Sequence, residues 1–240
     1  MLIKRLEKIH WNQVPKIISL FSGCGGMDLP FHYTGFKLVW AIDSDFYACR
    51  TFRRNISNII ENNQIENINI AEVPEADLII GGFPCQDFSM IWKRPGLEGI
   101  RGNLYTYFLE FVKRKQPKVF IAENVKGLLS ANKYQAIKRI MSDFESISPG
   151  YLVKPKLYNF ADYGVPQFRE RVILVGIRMD TGFNFIHPSP EYGIGRKYTY
   201  ITAGEALKNV EKVLNNNEHQ KIQPRTIEIL KRIKAGGNFT

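Results

Sequence analysis

Ala76-Asp77-Leu78-Ile79-Ile80-Gly81-Gly82-Phe83-Pro84-Cys85-Gln86-Asp87-Phe88-Ser89 carries an apolar run straight into a glycine-led loop. The short run from Ala76 to Ile80 predicts a buried strand. Pro84 fixes its own φ and pushes Phe83 towards extended geometry, so the loop is stiff. Cys85 is thus presented at the carboxyl end of a strand, the edge at which open α/β sheets place their ligands. A lone cysteine is most often a small buried hydrophobe. Reactivity needs a thiolate, a partner that handles protons, and access.

Outward from this loop the same punctuation recurs. Lys16 to Phe21 reads as a buried strand running into Ser22-Gly23-Cys24-Gly25-Gly26. Glycines after a strand let the backbone approach a ligand, and the next helix offers its amino end. A dinucleotide fingerprint would place a third glycine where Asp28 stands. The compact cluster instead suits a cofactor without a pyrophosphate, or a tight structural turn. Pro30 falls in the first turn of the following helix, where its missing N–H is harmless.

Lys37 to Ile42 predicts a second strand ending at Asp43, the spacing at which nucleotide-binding folds hold a ribose hydroxyl. Asp45 is the alternative, and either could cap the helix expected over Phe46 to Asn55. The segment from Ile56 to Pro74, rich in Asn, Glu and Ile, carries no functional reading. Asp77 opens the third strand and could meet a cofactor's base. Arg94 to Gly102 reads as a loop able to cover a site. From Asn103 the pattern is helical, with Leu104, Phe108, Phe111 and Val112 on a core face.

Lys118 to Ala122 predicts a fourth strand that delivers Glu123-Asn124-Val125 to the same rim as Cys85. A carboxylate leaving a buried strand needs a partner or a task. A helix cap or ion pair is the plainer reading of Glu123. Tyr134 to Phe144 predicts an amphipathic helix. Gln167-Phe168-Arg169-Glu170-Arg171 then enters a strand from Val172 to Gly176. Arginines at alternate positions point the same way and suit a phosphate or carbonyl oxygen; a surface ion-pair network with Glu170 would also explain them. The alternation of strands and helices predicts an α/β fold with a doubly wound, mostly parallel sheet.

The 240 residues suffice for one α/β domain, or one domain and the start of another. A net charge of +10 raises nucleic acid as a partner, although a lysine-rich soluble protein would share it. Cys24, Cys49 and Cys85 lack zinc or CxxC spacing and read as reduced thiols in a cytoplasmic setting, with no metal expected. No apolar run approaches a membrane span.

Taken in order, Phe21-Ser22-Gly23-Cys24-Gly25-Gly26, Gly82-Phe83-Pro84-Cys85-Gln86, Arg101-Gly102-Asn103-Leu104, Glu123-Asn124-Val125 and Gln167-Phe168-Arg169-Glu170-Arg171 resemble the cytosine-5 DNA methyltransferase family. The match spans roughly Lys16 to Arg178. The resemblance implies a Rossmann-like, S-adenosylmethionine-dependent methyltransferase of restriction-modification type. Its partner is double-stranded DNA, with the cytosine flipped out of the duplex. It implies that Phe21, Ser22, Gly23, Gly25, Gly26, Phe83 and Pro84 surround the cofactor, with Asp43 and Ser44 near the ribose and Asp77 at the adenine. Cys85 attacks carbon 6, Glu123 protonates ring nitrogen 3, and Arg171 holds the carbonyl oxygen while Arg169 steadies a loop or phosphate. Gln86, Ser89, Asn124 and Gln167 then face the substrate.

Two departures accompany the resemblance. Asp43 and Ser44 stand where the family carries Glu and an adenine-stacking aromatic. The family's later motifs and most of its target-recognition region are also absent. The expected organisation is therefore a catalytic domain over 1–185 and the beginning of a recognition region over 186–240, with a second chain as a candidate carrier of the remainder. The alternatives are RNA as substrate, or a catalytically silent partner that binds cofactor or DNA.

Overall fold

A computed structural model describes residues 13–84, 104–210 and 221–234. Its strands are β1 (Lys16–Leu20), β2 (Lys37–Asp43), β3 (Ile60–Asn62), β4 (Leu78–Gly81), β5 (Val119–Val125), β6 (Tyr151–Asn159) and β7 (Glu170–Arg178). They form one seven-stranded sheet in the order β3-β2-β1-β4-β5-β7-β6. The first five strands run parallel. Strand β7 is antiparallel to both β5 and β6. The sheet is thus mostly parallel and doubly wound, as the alternation predicts.

Five apolar runs mark β1, β2, β4, β5 and β7 because these strands are buried on both faces. Burial also alternates between faces. On one face, Ile18, Ile79 and Phe120 meet α3 (Leu104–Lys115) and α5 (Gln135–Glu145), the latter preceded by the short α4 (Gly127–Ser130). Phe108, Phe111, Phe120, Phe144 and Tyr151 are fully buried there. On the other, α1 (Asp28–Tyr33) packs over Ile17 and Ile80, and α2 (Phe46–Asn55) over Ala41 and Ile60. Asp45 caps α2, accepting a 2.7 Å hydrogen bond from the Ala48 amide.

Two strands lie outside the sequence expectation. Strand β3 is three residues long with only Ile60 buried. Strand β6 carries Lys154-Pro155-Lys156 and forms the sheet edge, where a proline leaves no ladder hydrogen bond unmade.

The chain divides into two compact units after Tyr200. Residues 186–200 belong with the first unit because its side chains hold them. Lys156 Nζ and Tyr163 Oη both donate to the Pro188 carbonyl, at 3.1 and 3.0 Å. Tyr200 Oη donates to Asp162 at 3.0 Å. In the second unit, α6 (Ala203–Leu207) begins with a capping box between Thr202 and Glu205, and α7 (Pro224–Lys231) with Pro224 in its first turn.

Candidate active site

Three loops converge at the carboxyl ends of the parallel strands. The first leaves β1 at Phe21, which adopts a left-handed φ of 54°, and turns again at Gly23 and Gly25. A Cβ on Gly25 would run into Ile56 and Phe52, so this turn needs glycine for conformation and for space. Asp43, at the end of β2, closes the loop. Its carboxylate accepts from the Gly23 amide at 2.7 Å and from the Asp45 amide at 2.8 Å. Each oxygen keeps lone-pair capacity for a further donor.

A cavity of about 210 Å³ opens beside Asp43, walled by Phe21, Ser44, Ile65, Glu66 and Leu104. Ile65 and Glu66 lie in the stretch that sequence reasoning leaves unread. Their signal is topological: they follow β3, the strand beside Asp43. A larger cavity of about 510 Å³ shares Phe21 and continues past Ser22, Gly26 and Gly82 to Glu123 and Arg169.

The second loop leaves β4 through Gly81 and Gly82. A Cβ on Gly81 would sit 2.5 Å from the Leu20 carbonyl oxygen, and one on Gly82 3.1 Å from Glu123 Oε2. These glycines therefore bring the backbone ahead of Cys85 against β1 and the carboxylate. Phe83 is 2% exposed and packs edge-on against Tyr105 and Phe108. Its side chain anchors the loop in the core and does not face the cavities. Pro84 is exposed. Cys85, Gln86 and Ser89 lie outside the described residues.

The third element is the β5–β7 pair. Glu123 and Arg171 form an ion pair, Oε1 to Nε 2.7 Å. Arg169 joins the wall of the larger cavity. Glu170 pairs with Lys126 at 2.9 Å, so the expected alternative of a Glu170–arginine network is replaced by a different ion pair. Gln167 is exposed and is not among the cavity walls.

Two assignments need correction. Asp77 does not join the rim. It precedes β4, at the amino ends of the strands, where its carboxylate accepts from the Lys16 amide at 3.0 Å and pairs with Lys118 Nζ at 2.9 Å. Partial burial raises its pKa, but those two partners outweigh burial and hold it below the ordinary carboxylate value. Asn124 does not face substrate. It is 2% exposed, and its side-chain amide donates to the Phe83 carbonyl at 2.9 Å, clamping the loop that leads to Cys85. The alternation of β5 carries this signal: Asn124 shares the core face of Phe120 and Ala122, and Glu123 the opposite face.

One group at the site has no assigned task. Asp28, the first residue of α1, lies beside the larger cavity and is fully buried. Neither carboxylate oxygen has a hydrogen bond among the described residues. Burial pushes the carboxyl up to about 6, with the nearby Ser19 hydroxyl offsetting part of the effect.

Comparison with known proteins identifies the family and the fold. The family model for C-5 cytosine-specific DNA methylase matches residues 15–237. The Type II methyltransferase M.NgoFVII of Neisseria gonorrhoeae is 54% identical over 246 residues, covering 100% of this chain and 65% of that protein. M.BbvI of Brevibacillus brevis is 39% identical, covering 85% of this chain and 56% of its own length. M.AquIA of Picosynechococcus is 41% identical over 80% of this chain and 84% of its own. The chain thus spans just under two thirds or less of the first two relatives. Among solved structures, a mutant of Spodoptera frugiperda DNMT2 superposes with a TM-score of 0.58 at 22% identity, covering 73% of this chain and 53% of its own. The Entamoeba histolytica methyltransferase EhMeth gives 0.56 at 20%, covering 75% and 57%. At these identities the two structures share the fold.

Proposed function

The chain belongs to the C-5 cytosine-specific DNA methylase family, and from that premise we propose that it carries the catalytic core of a Type II enzyme that methylates carbon 5 of cytosine in DNA. The observation that carries the proposal is the Glu123–Arg171 pair, set against Gly82 beside the backbone that presents Cys85.

The chemistry follows from the ring. Carbon 5 of cytosine is a poor nucleophile, and a thiolate added to carbon 6 turns it into an enamine carbon. Cys85 supplies the thiolate. Glu123 would give a proton to ring nitrogen 3 and so neutralise the negative charge that thiolate addition delivers to the ring. Arg171 fixes the carboxyl group's orientation and offers its remaining N–H groups to the exocyclic carbonyl oxygen. After methylation, carbon 5 gives up its proton and the thiolate leaves, restoring the aromatic ring. Reaching both faces of the base requires that it leave the stack.

S-adenosylmethionine would supply the electrophilic methyl carbon. The residues present fit it: Asp43 offers acceptors beside a nucleoside-sized cavity, Phe21 and Ile65 line that cavity with apolar surface, and the glycine loop continues towards Glu123. Ser44 and Asp43 would lie nearest its ribose.

The test uses the 240-residue chain, S-adenosylmethionine and duplex DNA containing 5-fluorocytosine. Fluorine at carbon 5 does not leave as a proton does, so turnover stalls as a covalent adduct. The expected result is a detergent-stable band that requires cofactor and disappears in Cys85→Ser. A band that persists in Cys85→Ser, or turnover with no adduct, overturns the mechanism.

A further inference from the structure

We propose that Phe168 and the turn over residues 193–197 hold duplex DNA beside the mouth of the larger cavity. This rests on the DNA reading above and gives it a surface outside the residues already assigned. The turn is rooted on the cavity's wall. Phe160 and Arg169 both line the cavity, and the Phe160 amide donates to the Arg169 carbonyl at 3.0 Å. Two residues on, the Asp162 carbonyl accepts from the Glu191 and Tyr192 amides at 3.1 and 3.0 Å, and its carboxylate from Tyr200 Oη at 3.0 Å. The Tyr200 ring meets Phe168 edge-on, with centroids 5.3 Å apart. Above this base the chain reverses. The Gly193 amide donates to the Tyr198 carbonyl at 2.9 Å, and the Tyr198 amide to the Glu191 carbonyl at 3.0 Å. Gly193 and Gly195 take φ values of 130° and 71° that the reversal requires.

This frame holds apolar groups out in water. Ile194 is 98% exposed, more than any other large hydrophobic among the described residues, and Phe168 is 75% exposed. Arg196 and Lys197 follow Ile194 at the exposed tip, against one acid, Glu191, at the foot. Lys197 Nζ lies 4.9 Å from the centre of the Tyr198 ring. Apolar side chains held out beside cations fit a duplex: the cations meet phosphates, and the apolar groups enter between bases. A duplex that gives up one base to the cavity uncovers the faces of its neighbours. Phe168, one residue from the cavity wall, stands where an aromatic ring covers such a face.

The experiment titrates a fluorescently labelled DNA duplex with the full chain at several salt concentrations and reads anisotropy. Arg196→Ala is expected to lower the slope of log affinity against log salt by about 1, the value of one lost phosphate contact. Lys37→Ala, at the amino end of β2 on the opposite edge of the sheet, is expected to leave the slope unchanged. Phe168→Ala and Ile194→Ser are expected to weaken binding about fivefold or more at every salt concentration, with the slope of wild type. All three side chains of the proposed surface are exposed, so their removal leaves the fold intact. An unchanged slope in Arg196→Ala overturns the proposal, as do apolar variants that bind like wild type. An equal fall in Lys37→Ala reduces the effect to net charge and overturns it too. If the wild type fails to bind duplex at all, the DNA reading itself fails and takes this surface with it, so the two failures are told apart.

Discussion

Arg171 Nε lies 2.7 Å from Glu123 Oε1, and the two residues sit on neighbouring antiparallel strands. Glu123 is directly opposite Ile173 and Val125 opposite Arg171, so the pair spans a diagonal on one face of the sheet. The guanidinium enters the site at the start of its strand and the carboxylate at the end of its own. Glu123→Gln removes the proton donor and is expected to lower methyl transfer by about 10²–10⁴-fold. Arg171→Lys keeps the charge but loses the planar fork, and a loss of at least about tenfold is expected. Single-turnover methylation of duplex DNA measures both.

The two glycines after β4 should separate fold from chemistry. In Gly81→Ala the new Cβ meets the Leu20 carbonyl at 2.5 Å, against backbone that cannot yield, and a stability loss of about 1–3 kcal/mol is expected. In Gly82→Ala it meets the Glu123 carboxylate at 3.1 Å, which can rotate away. The fold should survive, while adduct formation slows. Urea melts alongside the fluorocytosine trap distinguish the two outcomes.

Removal of the Asn124 clamp should be felt twice. Asn124→Ala removes a buried hydrogen bond to the Phe83 carbonyl, at about 0.5–1.5 kcal/mol of stability. It also loosens the loop ahead of Cys85, so the rate of adduct formation should fall beyond what unfolding explains. A rate measured well below the melting temperature, unchanged from wild type, would return Asn124 to a purely architectural role.

Asp28→Asn is expected to stabilise the cofactor-free chain. The folded state holds this carboxyl proton more tightly than the unfolded state, at about 6 against 3.8. The resulting penalty is absent below pH 3.8, grows between 3.8 and 6 as the unfolded chain ionises while the folded one keeps its proton, and levels off above 6. The variant should therefore match wild type near pH 4 and exceed it by about 1–3 kcal/mol at pH 7.5. Denaturant midpoints at the two pH values check the sign.

Asp77→Asn tests the reassignment of that residue. With its carboxylate committed to Lys16 and Lys118 at the opposite edge of the sheet, affinity for S-adenosylhomocysteine should stay within about twofold of wild type. Because its pKa is lowered in the fold, the stability it contributes is present above the ordinary carboxylate value and lost as pH falls below it. A large drop in cofactor affinity would restore Asp77 to the site.

Legibility in the sequence tracked burial. Strands covered on both faces are written as uninterrupted apolar runs, and their carboxyl ends name Phe21, Asp43, Gly82 and Glu123 directly. Strand β6 escapes because an edge strand tolerates Lys154-Pro155-Lys156, and β3 because it buries one residue. Asn124 shows how a residue type misleads: a polar residue beside Glu123 suggests substrate, and only the two-residue alternation reveals that it faces inwards. Ile65 and Glu66 are invisible for a different reason, since their place beside Asp43 depends on β3 adding to the sheet at β2.

The antiparallel setting of β7 also has a consequence in time. During synthesis β1, β4 and β5 emerge before Arg171, so a nascent chain carries Glu123 while still lacking the guanidinium that pairs with it. Pairing of β7 along β5 is a long-range closure, slow relative to local helix formation. The Glu123–Arg171 pair is therefore assembled late, and a ribosome-bound fragment ending before β7 holds the carboxylate without its partner.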